Sequence, residues 1–477
     1  MPADLTDRVL TTGANAVPRV AAAWRLHVIA SPDPKWRGAI LKMTQDGPFA
    51  DGAQIGRAPD ATSSLRIDDT TLSRRHAQVA RATDDLLRVT DLGSSNGTYV
   101  AGQRIQEALI GHAAVLRLGA NVFVLERDEG AHQACGEPTA DLPGRSECAR
   151  QLRGALEDAA HDSLPVLLHG DTGTGKEHAA HELHVRSGRK GKLVRVNAAA
   201  IPESLFEAEL FGHVAGAFTG ALAARQGRVR EAQNGTLVLD EIGELAPNLQ
   251  AKLLRLLEER SVRAVGGAKD EPIDVRFCAS TNADLAARVR DGRFRRDLLA
   301  RFHTHVIALP PLRERRMDLF QFADALLPLR APSGAVKSWP TVLHEETVEA
   351  LLLYGWPDNL RELTATLVHL RRHVGEQLVP RSALSSTILR DVGALPPVEE
   401  TAPQNAAARK SGQTAVEPAT PTPDAPAPAA LRAALREERG VVENVARRFG
   451  RHRKQVYRWL EQAGIDEAEL RRFREGG

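Results

Sequence analysis

The rhythm of hydrophobic and polar positions changes several times along this chain of 477 residues. From Trp24 to about residue 127 the apolar positions fall in short runs, "WRLHVIA", "HAQVARA", "LLRVTDL" and "NVFVLER", punctuated by Gly, Asp and Ser. Such runs at close spacing predict the strands of an all-β sandwich. Residues 1–23 precede it as an extension, and a polar stretch, 128–143, follows it. From 144 to 310 apolar strands ("LPVLLHG", "GTLVLDE", "DVRFCAS") alternate with helical stretches such as "NLQAKLLRLLEER". That alternation is the mark of an α/β parallel sheet. Residues 311–392 turn helical, and "LHEETVEALLLYGWPDNLRELTATLVHLRRHV" reads as helix throughout, a separate small α subdomain. In 393–430 Pro, Ala and Thr dominate and large apolar residues are nearly absent. Such a segment cannot bury enough surface to offset its ordering entropy and reads as an extended linker. Residues 431–477 return to a compact run of short helices. No internal repeat is present.

Composition narrows the function classes. At 42% hydrophobic and 26% charged residues the chain is ordinary globular protein. The net charge is only +2, so a nucleic-acid role requires a local basic cluster. Three cysteines, Cys135, Cys148 and Cys278, show no metal spacing, which points to a reducing cytoplasm and no disulfide framework. The N-terminus lacks the basic start and apolar core of a signal peptide. No apolar run reaches the roughly 18 residues of a membrane span, so no membrane association is expected.

The clearest chemistry is "GDTGTGKE", residues 170–177, between an apolar strand and a helical stretch. Gly170, Asp171, Thr172, Gly173, Thr174, Gly175 and Lys176 follow the Gly-x-x-x-x-Gly-Lys pattern of a P-loop. Glycines let backbone N–H groups converge on phosphate oxygens, and the helix N-terminus adds a favourable dipole. Lys176 is placed to reach the β and γ phosphates of ATP. Glu177 stands where a Ser or Thr usually ligates Mg2+, so the metal needs another carboxylate. "GTLVLDEI" supplies it: Asp240 for the metal and Glu241 as general base for the attacking water. A third strand, "DVRFCAST", ends at Asn282, which either senses the γ phosphate or caps a helix.

Taken together, "GDTGTGKE", "ESLFEAELFGHVAGAFTGA", "GTLVLDEIGEL", "FRRDLLARF", "LPPLRERRMDL" and "WPDNLREL" resemble the AAA+ domain of bacterial enhancer-binding proteins, the activators of sigma-54 RNA polymerase. The resemblance covers over half the chain, and Glu177 is part of it. It implies that Gly216, Ala217, Phe218, Thr219, Gly220 and Ala221 form a loop tip that contacts the sigma factor. In that setting the glycines act as hinges, Phe218 offers apolar area and Thr219 a hydroxyl. An aromatic on a flexible exposed loop is otherwise unfavourable. The resemblance further implies that Arg295 and Arg301 are arginine fingers reaching a neighbour's nucleotide. Arg361 becomes the lid arginine that senses nucleotide in the same subunit. Asn197 restrains Glu241 until the partner is engaged. Every site then needs a neighbour, which implies a homo-oligomeric ring of six subunits.

The front segment, "IGRAPDATSSLRIDDTTLSRRHAQV" with "DLGSSNGTYVAG", resembles a forkhead-associated (FHA) domain over residues 55–100. That fold implies recognition of a phosphothreonine-bearing protein. Arg57, Ser73, Arg74 and Ser95 supply the guanidinium and hydroxyl groups a phosphate requires. Asn96 is placed for the ligand backbone, and His76 either braces the loop or touches phosphate. The tail, "LRAALREERGVVENVARRFGRHRKQVYRWLEQAGI", resembles a Fis-type helix-turn-helix, all-α. Between Asn444 and Leu460 it holds six Lys/Arg and no acid. Arg451, Arg453, Lys454, Gln455 and Arg458 are the candidate contacts to enhancer DNA, most of them to phosphate.

The expectation is therefore a multidomain cytoplasmic protein. It comprises an FHA sandwich (24–127), an α/β AAA+ P-loop subdomain (144–310) with a helical lid (311–392), and a helix-turn-helix (431–477). It would activate transcription by hydrolysing ATP with Mg2+ against sigma-54 RNA polymerase holoenzyme. The alternative is an FHA-regulated ATPase that remodels a non-transcriptional protein. The residues do not say whether ligand at the FHA domain activates or represses.

Overall fold

The computed structural model describes residues 23–43, 52–59, 64–128, 136–218, 221–330 and 334–393, and seven single residues of the tail. The chain divides into two compact units, Met1–Pro403 and Gln404–Gly477. No helix among the described residues is long and apolar enough to cross a membrane.

Two sheets make the N-terminal sandwich. One runs in the order Ile40–Met43, Ala23–Ala30, Asn121–Asp128, Val115–Leu118, Thr98–Val100, Gln103–Ile105. The other runs Ser64–Arg66, Ala53–Gly56, Ala77–Arg81, Leu87–Asp91, Glu107–Ile110. Successive side chains of a strand point to opposite faces. In Ala23–Ala30, Trp24, Leu26 and Val28 belong to the sandwich core. Phe123 and Leu125 join them from the neighbouring strand, Leu116 and Leu118 from the next.

The intervening positions are buried as well, against a different partner. Ile29, Val115, Val122 and Val124 lie in one apolar cluster with Met317, Phe320, Trp339, Leu352 and Leu353 of the helical subdomain. The helical block predicted to stand apart thus shares a core with the outer face of the sandwich. Polar groups frame the contact. Arg117 Nε donates to Glu349 Oε2 at 2.7 Å, both side chains nearly buried. Glu126 accepts from the backbone N–H of Glu147, the first residue of helix Glu147–Ala160, and Arg25 pairs with Glu147.

The parallel sheet has the order Leu193–Asn197, Thr236–Asp240, Arg276–Thr281, Val166–His169, His305–Ala308. All six residues of Arg276–Thr281 are buried, as a central strand covered on both faces requires. The long helix expected at the C-terminal side is broken into Glu345–Leu353 and Asn359–Arg371. Pro357 is the local cause: it steers the preceding residue out of the right-handed helical region, and Trp356 sits at φ 49°. Asn359 also has positive φ, 50°. A short strand pair, Leu329–Arg330 with Val336–Lys337, interrupts the otherwise helical lid.

In the second unit, Leu431, Ala434, Leu435, Val445 and Trp459 are helical and buried, and Trp459 meets Phe449 edge-on at 5.9 Å. The five candidate DNA contacts, Arg451, Arg453, Lys454, Gln455 and Arg458, lie outside the described residues.

Candidate active site

The loop after strand Val166–His169 turns through two glycines with positive φ, Gly173 at 76° and Gly175 at 100°, into helix Lys176–Arg186. A Cβ on Gly173 would lie 2.2 Å from the carbonyl oxygen of Asp358, so only glycine lets the lid approach this closely. Lys176 Nζ donates to the Gly170 and Asp171 carbonyls at 2.8 and 3.1 Å. Its ammonium therefore rests on the loop's own oxygens. Burial lowers its pKa, opposed by the charges of Glu241 and Asp240.

A cleft of about 320 Å³ gathers Thr172, Gly173, Gly175, Lys176, Glu177, Asn197, Asp240, Glu241 and the lid's Arg361. Strand register explains part of this, since Asn197 pairs directly with Asp240. Asp240 Oδ1 accepts from Ser280 Oγ at 2.7 Å. Burial raises the Asp240 pKa, with Glu177 adding to the rise and Ser280, Arg195 and Lys176 opposing it. A carboxylate short of water, with one oxygen committed to Ser280, is suited to a hard cation. Among the described residues no group of three or more His, Cys, Asp or Glu could cage a metal. Mg2+ usually takes one or two carboxylates together with phosphate oxygens, and Asp240 shares its cleft with Lys176 of the phosphate loop. Glu241 adopts φ 53° and ψ 48°, a left-handed conformation uncommon outside glycine, immediately after its strand. Such outliers cluster at functional sites.

Asn282 donates from Nδ2 to Thr172 Oγ1 at 3.1 Å, beside the loop. The cap of the following helix is Asp284, whose side chain accepts from Ala287 N, so the alternative reading of Asn282 as a cap does not hold. The side-chain oxygen of Asn197 accepts from Ala199 N at 2.9 Å, a local contact. Arg295 and Arg301 are exposed, do not line the cleft and pair with Asp297 and Glu258 respectively.

Several residues at the site carried no assigned role in the sequence. Asn359 Nδ2 donates to the Thr172 carbonyl at 2.9 Å, and its Oδ1 accepts from Leu312 N at 2.7 Å. Buried Arg315 donates to the Thr174 carbonyl at 2.6 Å, and Arg313 pairs with Asp171. Their motifs, "LPPLRERRMDL" and "WPDNLREL", were visible, but their target on the phosphate loop was not.

The glycine-hinged segment projects from the hairpin Gly212–His213 with Arg225–Gln226. Gly216 N donates to the Ala221 carbonyl and Ala221 N to the Phe218 carbonyl, closing a turn. Phe218 is 41% exposed, with the His213 ring 5.0 Å from its own. Thr219 and Gly220 lie outside the described residues.

At one end of the sandwich, backbone bonds from Arg57 N to Ser73 O and from Ala58 N to Arg74 O draw two loops together. Ser95 N donates to Ser73 Oγ at 3.0 Å, bringing in the third. His76 is fully buried. Its Nδ1 accepts from Ser73 N, so Nε2–H donates to the Gly97 carbonyl at 3.1 Å. Burial lowers its pKa, so the ring is a neutral brace rather than a phosphate ligand. Asn96 donates to the Thr71 carbonyl, and Thr71 Oγ1 in turn accepts from Ala120 N. Arg57 and Arg74 thus stand with Ser73 and Ser95 at this one end of the sandwich.

Both folded regions resemble known proteins. A family profile described as the sigma-54 interaction domain matches residues 142–308, and one described as the FHA domain matches residues 53–119. The nitric oxide reductase transcription regulator NorR2 of Cupriavidus necator is 46% identical over 239 residues, covering 50% of this chain and 45% of that protein. The Nif-specific regulatory protein of Azotobacter vinelandii is 40% identical over 288 residues, 59% of this chain and 52% of that one. The DNA-binding transcriptional regulator NtrC of Escherichia coli is 36% identical over 341 residues, 69% of this chain and 71% of its own. Against the first of these regulators the chain spans about half their length. Among solved structures, NtrX from Brucella abortus in complex with ATP aligns over 70% of this chain and 71% of that one, at 24% identity and a TM-score of 0.44.

Proposed function

The chain belongs to the NtrC-type sigma-54-dependent activators, and from that premise we propose that it is an ATP-hydrolysing activator of sigma-54 RNA polymerase controlled through phosphothreonine recognition. The observation that carries the reading is the convergence of Lys176, Asp240, Glu241 and the lid's Arg361 in one cleft. On nucleotide binding, Lys176 exchanges the Gly170 and Asp171 carbonyls for phosphate oxygens. Asp240, together with phosphate oxygens, would hold Mg2+, which would neutralise charge building on the β and γ phosphates. Glu241 orients the attacking water and accepts its proton. Arg361 reports the nucleotide to the lid. Arg295 and Arg301 act on a neighbour's nucleotide within a hexameric ring. Asn197 restrains Glu241, and Asn282 monitors the γ phosphate beside Thr172.

Gly216–Ala221 then presents Phe218 and Thr219 to the sigma factor. The tail, through Arg451, Arg453, Lys454, Gln455 and Arg458, holds the protein on enhancer DNA in the cytoplasm, and Arg57, Ser73, Arg74, Ser95 and Asn96 receive the phosphothreonine ligand.

The test is Thr219→Ala. ATP hydrolysis should continue at the wild-type rate while sigma-54-dependent open-complex formation in a purified transcription assay is lost. Normal activation by this variant would remove the loop from the mechanism. Arg57→Ala should weaken binding of a phosphothreonine peptide about 10- to 100-fold, the worth of a charge-assisted hydrogen bond to phosphate. Calorimetric titration measures it, and unchanged affinity would exclude Arg57 from the site.

A further inference from the structure

The phosphothreonine loops and the nucleotide cleft are joined by a short covalent and non-covalent path. The Ser95–Asn96 loop leads within a few residues to Tyr99. Arg117 lies over the Tyr99 ring, its Cζ 3.8 Å from the ring centre. The same guanidinium donates through Nε to Glu349 Oε2 at 2.7 Å. The second oxygen of Glu349 accepts from Gly102 N at 3.1 Å, two residues beyond the end of the Tyr99 strand. One lid carboxylate therefore holds two points of the sandwich at once, nearly out of water.

Glu349 sits on helix Glu345–Leu353, which runs into the Trp356–Asn359 bend. Asn359 grips the Thr172 carbonyl of the phosphate loop, and Arg361, two residues later, lines the cleft. A second route starts at the same end of the sandwich. Asn96 bonds Thr71, and Asp69 bonds both Thr71 and Asn121. Asn121 opens the strand whose Val122 and Val124 lie in the core shared with the lid.

We propose that Glu349, clamped by Arg117 and Gly102, is a latch that couples ligand binding at the FHA loops to nucleotide binding under the lid. The proposal rests on the phosphothreonine reading above and deepens it by naming how that ligand regulates the ATPase. The physical basis is that the sandwich face and the lid share one core, so the two move together. The lid is the element that nucleotide biases. A ligand that shifts the Ser95–Tyr99 segment acts on the same contact from the other side. Two sites that bias one element are thermodynamically reciprocal: each ligand changes the other's affinity by the same factor.

The experiment uses the full-length protein, a fluorescent phosphothreonine peptide selected from a degenerate library, and AMP-PNP with Mg2+ as nucleotide. Peptide Kd is measured by anisotropy with and without nucleotide, the unphosphorylated peptide serving as blank. In the wild type the two values should differ about fivefold or more, the usual range of allosteric coupling. In Glu349→Gln the ratio should collapse towards one while the nucleotide-free peptide Kd stays at the wild-type value. Arg117→Lys keeps the charge but loses the planar fork over Tyr99, and should reduce the ratio in the same way with less disturbance of the fold. Equal Kd values in the wild type, or a full ratio retained in both variants, would overturn the latch. Failure of the wild type to bind the phosphopeptide at all would overturn the phosphothreonine reading, and the latch with it.

Discussion

Glu241→Gln is expected to lower the rate of ATP hydrolysis about 10²- to 10⁴-fold while ATP binding is retained, the range a general base contributes. The substitution keeps shape and removes only basicity. The groups proposed to hold the nucleotide, Lys176, the loop glycines and Arg361, line the same cleft and are left in place by the substitution. Glu241 and its replacement have the same length and branching, so a glutamine there takes the position without the chemistry. Steady-state hydrolysis and equilibrium binding of a fluorescent ATP analogue, measured on the same preparation, separate the two effects. Loss of binding would show that Glu241 serves the fold of the cleft. Unchanged turnover would show that another group takes the proton.

Arg301→Ala should reduce hydrolysis by about 10³- to 10⁵-fold, the scale of arginine fingers supplied in trans. Trans action follows from the proposed ring, in which this arginine reaches a neighbour's nucleotide. Arg301 is exposed, pairs with Glu258 on its own surface and does not line its own cleft. An exposed ion pair of this kind contributes little to stability, so the variant should fold normally. The stronger test is to mix Arg301→Ala with Glu241→Gln, each inactive alone. Where an Arg301→Ala subunit receives the arginine of a Glu241→Gln neighbour, one site is complete and hydrolysis should reappear. If the mixture stays inactive while both variants assemble, Arg301 does not act across subunits.

The site was legible in the sequence wherever its parts are local. A P-loop is a strand, a glycine turn and a helix start within a dozen residues, and Asp240–Glu241 announce themselves at the end of an apolar strand. The FHA-like cluster was legible as chemistry, because guanidinium, hydroxyl and amide groups recur in a set. Ser280, Asn359, Arg313 and Arg315 were not legible as site residues. Each acts on a group far away in the chain: Asn359 lies 187 residues from Thr172, and Arg315 lies 141 from Thr174. Side-chain bonds to backbone carbonyls at such separations leave no periodic signal. The break at Trp356 was overlooked for a different reason. The segment lies between two strongly helical runs, and Gly355 and Pro357 were the local warnings.

By itself, the sequence determined the elements and their reactive groups: which runs are strands, where glycine permits the backbone to embrace phosphate, and which carboxylates stand at a strand end. Only the tertiary structure decided what covers the outer face of the sandwich. The run "NVFVL" is apolar on both faces of its strand, and that pattern states that both are buried without stating by what. Hydrophobic burial is non-directional, so Val122 and Val124 could have met any apolar surface. The choice was made by the helical lid, and it is marked by one buried ion pair, Arg117 with Glu349, whose members are 232 residues apart.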